Sequence, residues 1–256
     1  MARMEEAAIV LRLRAAGCVF AEEEAAMLVA ETDDPQRLER LVQQRVAGLP
    51  LEHVLGWAEF CGLRIIVEPG VFVPRPRTEQ LVRRAVALAH RGDIVLDLCC
   101  GSGALGAAIE GSVAVKVHAT DLDPAAVRVA RRNVDRVYEG DLYDPLPASL
   151  RGAVNLIVVI APYVPTAEIA LLPHEARDFE PLLALDGGTD GLELLRRIIA
   201  EAPGWLAPGG TLLTEVSEEQ APAVAALLEA SGLESTIDGI VVSGRDRRQP
   251  TQPSPR

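Results

Sequence analysis

The sequence predicts an α/β protein, a mostly parallel sheet with helices on both faces, preceded by a short helical stretch. Three observations carry this expectation. Beyond Arg91, apolar runs of strand length alternate with helical periodicity. A glycine-rich turn, Gly101 to Gly106, joins the first of those runs to a helix. Between residues 4 and 47, Ala, Leu, Val and Met recur at three- and four-residue spacing among charged positions.

Each element has its own signal. In the helical stretch, Gly17 and Asp33-Asp34-Pro35 are breaks. Residues 51–73 read as a connector with a hairpin, Leu63–Val67 returning through Pro69-Gly70 to Val71–Val73. A helix starts at about Thr78, which is placed to cap it, with Glu79 and Gln80 in the first turn. Strands are expected at Ile94–Leu98, Val115–Thr120, Arg136–Glu139, Asn155–Ile160 and Gly210–Val216, and near Ser235–Ile237 and Ile240–Ser243. Helices are expected around Ala104–Ile109, Pro124–Asn133, Gly191–Ala202 and Ala221–Ser231. The stretch from Arg247 to Arg256, rich in Pro, Gln, Ser and Arg, is expected to be disordered.

A chain of 256 residues, 49% hydrophobic, fits one large domain with a small accessory one. A net charge of −12 argues against a generic nucleic-acid footprint, so no nucleic-acid partner is expected. Cys18, Cys61, Cys99 and Cys100 lack zinc spacing, as do His53, His90, His118 and His174, which read as surface or loop residues. No metal site, membrane-length apolar run or signal peptide is expected, which makes a reducing cytoplasm the default location.

The turn after Ile94–Leu98 suits a nucleotide. Gly101, Gly103 and Gly106 let the backbone approach a ligand, and the helix start adds positive potential. The next strand ends at Asp121, followed by Leu122, and an acid there can accept hydrogen bonds from both hydroxyls of a ribose. Spacing alone does not choose the cofactor. A second feature closes the apolar run Leu156–Val159: Ile160-Ala161-Pro162-Tyr163. The proline leaves the sheet, holds Ala161 extended and displays Tyr163 at the strand's C-terminal edge.

The stretch Val95–Gly106 resembles the first motif of S-adenosylmethionine-dependent methyltransferases, with Cys99 where many members have a first glycine. The resemblance implies that Asp97 orients the loop and faces the methionyl ammonium. It also implies that Asp141 reaches the adenine amino group while Leu142 packs on the ring. Pro74-Arg75-Pro76-Arg77-Thr78-Glu79 looks like the Pro-Arg-Pro-x-Thr-Glu segment of the HemK/PrmC family, N5-glutamine methyltransferases of peptide-chain release factors. Pro50–Gly56, Glu59–Leu63, Pro162–Pro165 and Glu180–Leu192 match further family segments. The resemblance implies a class I (Rossmann-like) methyltransferase domain at 78–246. It would follow a helical domain at 1–50 and a β-hairpin linker at 51–77, with a tail at 247–256. Arg75 and Glu79 would hold the linker to the cofactor side, Arg75 also near the substrate.

Ile160-Ala161-Pro162-Tyr163 resembles the family's Asn-Pro-Pro-Tyr with its first two residues changed. In the family pattern the Asn side chain and the next carbonyl bind the acceptor amide, and the aromatic residue packs on it. Ile160 has no polar side-chain atom, so half of that clamp is missing, whereas Ala161 keeps its carbonyl and Pro162 its geometry. Losing a hydrogen bond that acts in the transition state costs about 3 kcal/mol. Three readings follow. The family function persists with His174, Glu175 or Asn155 supplying the lost contact, on a glutamine-bearing protein loop. Or the acceptor is a small molecule with a heteroaromatic or amine nitrogen. Or the chain binds the cofactor without catalysis.

Overall fold

The computed structural model describes residues 6–248. The chain runs from α1 (Glu6–Ala15), α2 (Ala21–Glu31), α3 (Pro35–Val46) and α4 (Leu51–Leu55) into the strands β1 (Trp57–Phe60) and β2 (Leu63–Ile66). Then come α5 (Glu79–Leu88), β3 (Ile94–Leu98), α6 (Ala104–Ser112), β4 (Lys116–Asp121), α7 (Pro124–Ala130), β5 (Val137–Glu139) and β6 (Val154–Val159). The last elements are α8 (His174–Phe179), α9 (Glu193–Trp205), β7 (Leu206–Glu215), α10 (Ala221–Ala230), β8 (Leu233–Asp238) and β9 (Val241–Asp246).

The first helices build a core of their own. Ile9, Leu13, Leu28, Leu38 and Val42 are buried together, and α4 joins them through Val54 and Leu55. The helical unit thus reaches past residue 50, into the stretch expected to be linker. Asp34 caps α3 by accepting from the Gln36 N–H at 2.9 Å, with Pro35 at the first helical position.

The hairpin differs from the expectation. β1 pairs antiparallel with β2, and the turn is Cys61-Gly62, both with positive φ (51° and 75°). Two such residues make the turn whose twist matches a hairpin. At Pro69-Gly70 the chain only turns, with the Val71 N–H returning to Glu68. Val71 then packs against Ala126 and Val129 of α7, and the Val73 N–H goes to Glu180, so Val71–Val73 forms no strand.

The main sheet has seven strands in the order β5-β4-β3-β6-β7-β9-β8. β3 to β7 run parallel, and β9 is antiparallel to both neighbours. Apolar residues on its two faces form separate cores, one around Val95, Ile109, Val117 and Val158, the other around Leu98, Ile157, Trp205 and Leu212. β3, β4 and β6 all point their C-terminal ends at one cleft, the position where open α/β sheets bind ligands.

Three smaller expectations change. Thr78 is not a side-chain cap; it sits in a 3₁₀ turn and its hydroxyl donates to Glu215 at 2.8 Å. His53 is buried, its Nε2 2.9 Å from the Val71 carbonyl, and His118 lies half-buried on β4 against Tyr138. Of the stretch expected to be disordered, Arg247 pairs with Glu229 and Arg248 with Asp246, and residues 249–256 lie outside the described residues. Among the described residues no helix is long and apolar enough to cross a membrane.

Candidate active site

The cleft has a volume of about 930 Å³. That is near the upper end of ordinary ligand pockets, room for a nucleoside-sized cofactor and an acceptor together. One half is built by the turns after β3, β4 and β5. The Gly101 N–H donates to Asp121 Oδ2 at 2.8 Å, and the Asp123 N–H donates to Oδ1 at 2.9 Å. Each oxygen keeps a lone pair for a ligand hydroxyl. Burial raises the Asp121 carboxyl above its usual range, while these backbone donors pull the other way. Cys99, Gly101, Leu122, Asp141 and Leu142 line the same half. Cys99 and Leu142 hold positive φ, 54° and 49°, strained values for side-chain-bearing residues. Asp141 is paired with Arg197 of α9 at 2.7 Å.

Two expected contacts move. Asp97 does not line the cleft. It is 1% exposed and sits beneath the turn, accepting from the Gly106 N–H at 2.9 Å. Burial pushes its carboxyl up to about 8, the Gly106 hydrogen bond opposing and Asp121 adding to the rise. Its position suits holding the start of α6 rather than meeting an ammonium. Gly103 is likewise outside the lining. At φ 78°, a Cβ there would stand 3.1 Å from Val134 Cγ2, so this glycine serves close packing.

The other half of the cleft holds the tetrapeptide expected to meet the acceptor. Ile160, Ala161, Pro162 and Tyr163 line it together, opposite Leu172, Pro173, Glu175 and Leu183. Ile160 packs against the core face beside Val158 and presents hydrocarbon. No hydrogen bond from a described residue reaches the Ala161 carbonyl. The tetrapeptide is fixed from behind. Gln220 Nε2 donates to the Tyr163 carbonyl at 2.9 Å, and a Cβ on Gly187 would stand 2.6 Å from the Pro162 oxygen.

Of the residues suggested as substitutes for the lost clamp, Asn155 is excluded. It accepts from the Ile94 N–H at the opposite end of the sheet. His174 pairs with Asp178 and Glu175 with Arg45, and only Glu175 lines the cleft. Arg75 lines the cleft but does not pair with Glu79. It pairs with Glu180 at 2.5 Å, while Glu79 accepts from the Cys61 N–H.

Sequence reasoning missed Arg77, which occupies the variable position of the Pro-Arg-Pro-x-Thr-Glu segment. Arg77 lines the cleft and donates to the Tyr163 hydroxyl, and its Nε lies 2.9 Å from the buried Glu215. The pairings of Glu180 and Glu215 were missed too. Their partners lie more than a hundred residues away, and no local pattern announces them.

The cleft fits a cationic nucleoside sulfonium. Asp121, Asp123, Asp141, Glu175, Asp186 and Glu193 line it against Arg75, Arg77 and Arg197, six carboxylates to three guanidiniums. The buried Thr120 hydroxyl, also in the lining, has no hydrogen-bond partner among the described residues. A strand, glycine turn and helix with an acid at the end of the next strand, and an extended Pro-Tyr segment across the same cleft, fit an S-adenosylmethionine-dependent methyltransferase of the Rossmann-like class.

A profile of the ribosomal protein L11 methyltransferase (PrmA) family matches residues 77–143. The release factor glutamine methyltransferase of Geobacter sulfurreducens is 37% identical over 214 residues, 81% of this chain and 74% of that protein. The 4-amino-L-phenylalanine/4-methylamino-L-phenylalanine methyltransferase of Streptomyces pristinaespiralis is 39% identical over 210 residues, 77% of this chain and 71% of that protein. The E. cuniculi Mtq2–Trm112 complex, responsible for methylation of the eRF1 termination factor, superposes with a TM-score of 0.51 at 22% identity. It covers 69% of this chain and 99% of that one, a likeness of fold. The chain belongs to the release factor glutamine methyltransferase family and is an S-adenosylmethionine-dependent N-methyltransferase.

Proposed function

We propose that the methyl acceptor is a side-chain carboxamide nitrogen, of the glutamine class, carried on a protein loop. The observation that carries this is the acceptor side itself. A free backbone carbonyl at Ala161 and a pinned aromatic face at Tyr163 border a cleft whose rim is apolar. Leu183 in its lining is 54% exposed, and the neighbouring Leu171 and Leu182 are 82% and 57% exposed. Apolar surface of this kind beside a cleft is what a macromolecular partner covers. The name of the Geobacter sulfurreducens relative, release factor glutamine methyltransferase, points the same way.

The site residues take these roles. Asp121 binds the ribose, and Leu122, Cys99 and Gly101 form the loop around the cofactor, with Asp141 and Leu142 at the adenine end. Asp97 and Gly103 hold that loop from beneath. S-adenosylmethionine supplies the electrophilic methyl group when bound. The Ala161 carbonyl accepts one N–H of the acceptor and aims its lone pair, Pro162 keeps that carbonyl extended, and Tyr163 supplies the face on which the planar group rests. Catalysis is then mainly positioning.

A second reading is favoured by Ile160. Its hydrocarbon stands where a polar side chain would bind an amide, and an aromatic amine needs only the single contact from Ala161. The S. pristinaespiralis relative, whose name describes such an acceptor, is no more distant than the others. The two readings are separated by offering the protein a release factor and 4-amino-L-phenylalanine side by side. A mass gain on a glutamine of the protein supports the first reading, and methylation of the amino acid alone supports the second.

A further inference from the structure

One wall of the acceptor side of the cleft is the stretch around α8, and contacts from other elements secure it. α8 has only six residues and buries none of them. Short exposed helices are marginal on their own. Its position is set from outside, at both ends. At its C-terminal end Glu180 is held by Arg75 and by the Val73 N–H. At its N-terminal end Glu175 Oε1 lies 2.7 Å from Arg45 Nη2.

Arg45 belongs to α3 and is buried. Its Nε and Nη2 donate to Glu24 of α2 at 2.6 and 3.1 Å, and its Nη1 to the Leu49 carbonyl at 3.0 Å. A guanidinium gripped side-on by one carboxylate through Nε and Nη2, and by a carbonyl through Nη1, is a rigid post, because its planar fork has little freedom left. The surfaces are also close. A Cβ on Gly48 would stand 3.3 Å from the His174 ring and 3.6 Å from Phe179. Glu175 is the one residue of this group that also lines the large cleft, so the post reaches the acceptor wall through a single side chain.

We propose that Arg45 is a positioning residue for the acceptor: by holding Glu175 it fixes α8, so the N-terminal helices set where the acceptor wall of the cleft stands. This rests on the cleft being the acceptor site and not on which acceptor enters it. Removing the contact frees the wall without touching the half of the cleft that holds the cofactor.

The test uses Glu175→Gln in the full chain, read by hydrogen exchange and by calorimetry with S-adenosylhomocysteine. Glu175 is half-exposed, so the variant folds, and the Arg45–Glu24 pair remains intact. Backbone amides of residues 174–180 should exchange at least about threefold faster, those of α2 and α3 should not change, and the Kd should stay within about twofold. Arg45→Lys, which keeps the charge and loses the fork, should speed exchange of the same residues by less. With an acceptor supplied, KM should rise by a larger factor than kcat falls. Unchanged exchange at 174–180 in Glu175→Gln would overturn the inference, as would equal acceleration in α2 and α3. Absence of S-adenosylhomocysteine binding by the unaltered chain would instead defeat the cofactor assignment, since the exchange readout needs no ligand.

Discussion

Arg77 donates a hydrogen bond to the phenol oxygen of Tyr163, and the buried Glu215 at the end of β7 holds Arg77 in turn. The pair joins the end of the linker to the tetrapeptide that closes β6. The Arg77 guanidinium carbon is 5.7 Å from the centre of the Tyr163 ring and is tied to the phenol through its hydroxyl.

That tie should matter for catalysis more than for cofactor binding. Arg77→Met keeps much of the apolar stem and removes both hydrogen bonds. It is expected to lower kcat/KM by about tenfold to a hundredfold, because small losses of orientation are expensive in a displacement that depends on alignment. Affinity for S-adenosylhomocysteine should be unchanged. Tyr163→Phe should give a similar loss, and adding Arg77→Met to it should cost little more.

Asp121 carries the cofactor assignment. Its carboxylate both staples Gly101 and offers lone pairs to a ribose. Asp121→Ala should weaken S-adenosylhomocysteine binding by about 2 kcal/mol, roughly thirtyfold. Isothermal calorimetry reads this directly, and equal affinity in the variant would remove Asp121 from the site.

Asp97 gives the protein a pH signature. Its ordinary value is 3.8 and burial carries it to about 8 in the fold. Between those values the folded chain keeps a proton that the unfolded chain has released. Stability contributed here therefore declines as pH rises from about 4 to about 8 and levels off above, with a slope of up to about 1.4 kcal/mol per pH unit. Asp97→Asn should flatten that slope. Thermal unfolding at pH 5, 6.5 and 8 checks it, and parallel slopes in the two proteins would contradict it.

The sheet was legible because its strands carry apolar runs such as Leu156–Val159, buried on both faces. The hairpin was misplaced because Pro69-Gly70 is the louder turn signal, whereas Cys61-Gly62 needs a cysteine at positive φ. At the site, Asp121 and Tyr163 were legible because each ends a strand at the cleft. Arg77, Glu180 and Glu215 were not, since their meaning lies in partners brought together only by folding. Asp97 was recognised, but which side of the turn its carboxyl would occupy depends on how Gly106 packs.

On the proposed acceptor geometry, Ile160 is the position expected to limit the family reaction. An Asn side chain there would add the second contact to the acceptor amide beside the Ala161 carbonyl. Restoring one such contact is worth up to about 3 kcal/mol in the transition state, near a hundredfold in rate.

The direct measurement is transfer of a labelled methyl group from S-adenosylmethionine to a release factor, by the unaltered chain and by Ile160→Asn, with the modified atom located by mass spectrometry. The account predicts label on a glutamine side-chain nitrogen in both, slow in the first and faster in the second. Label on no protein nitrogen in either case, from chains that bind S-adenosylhomocysteine, would contradict it.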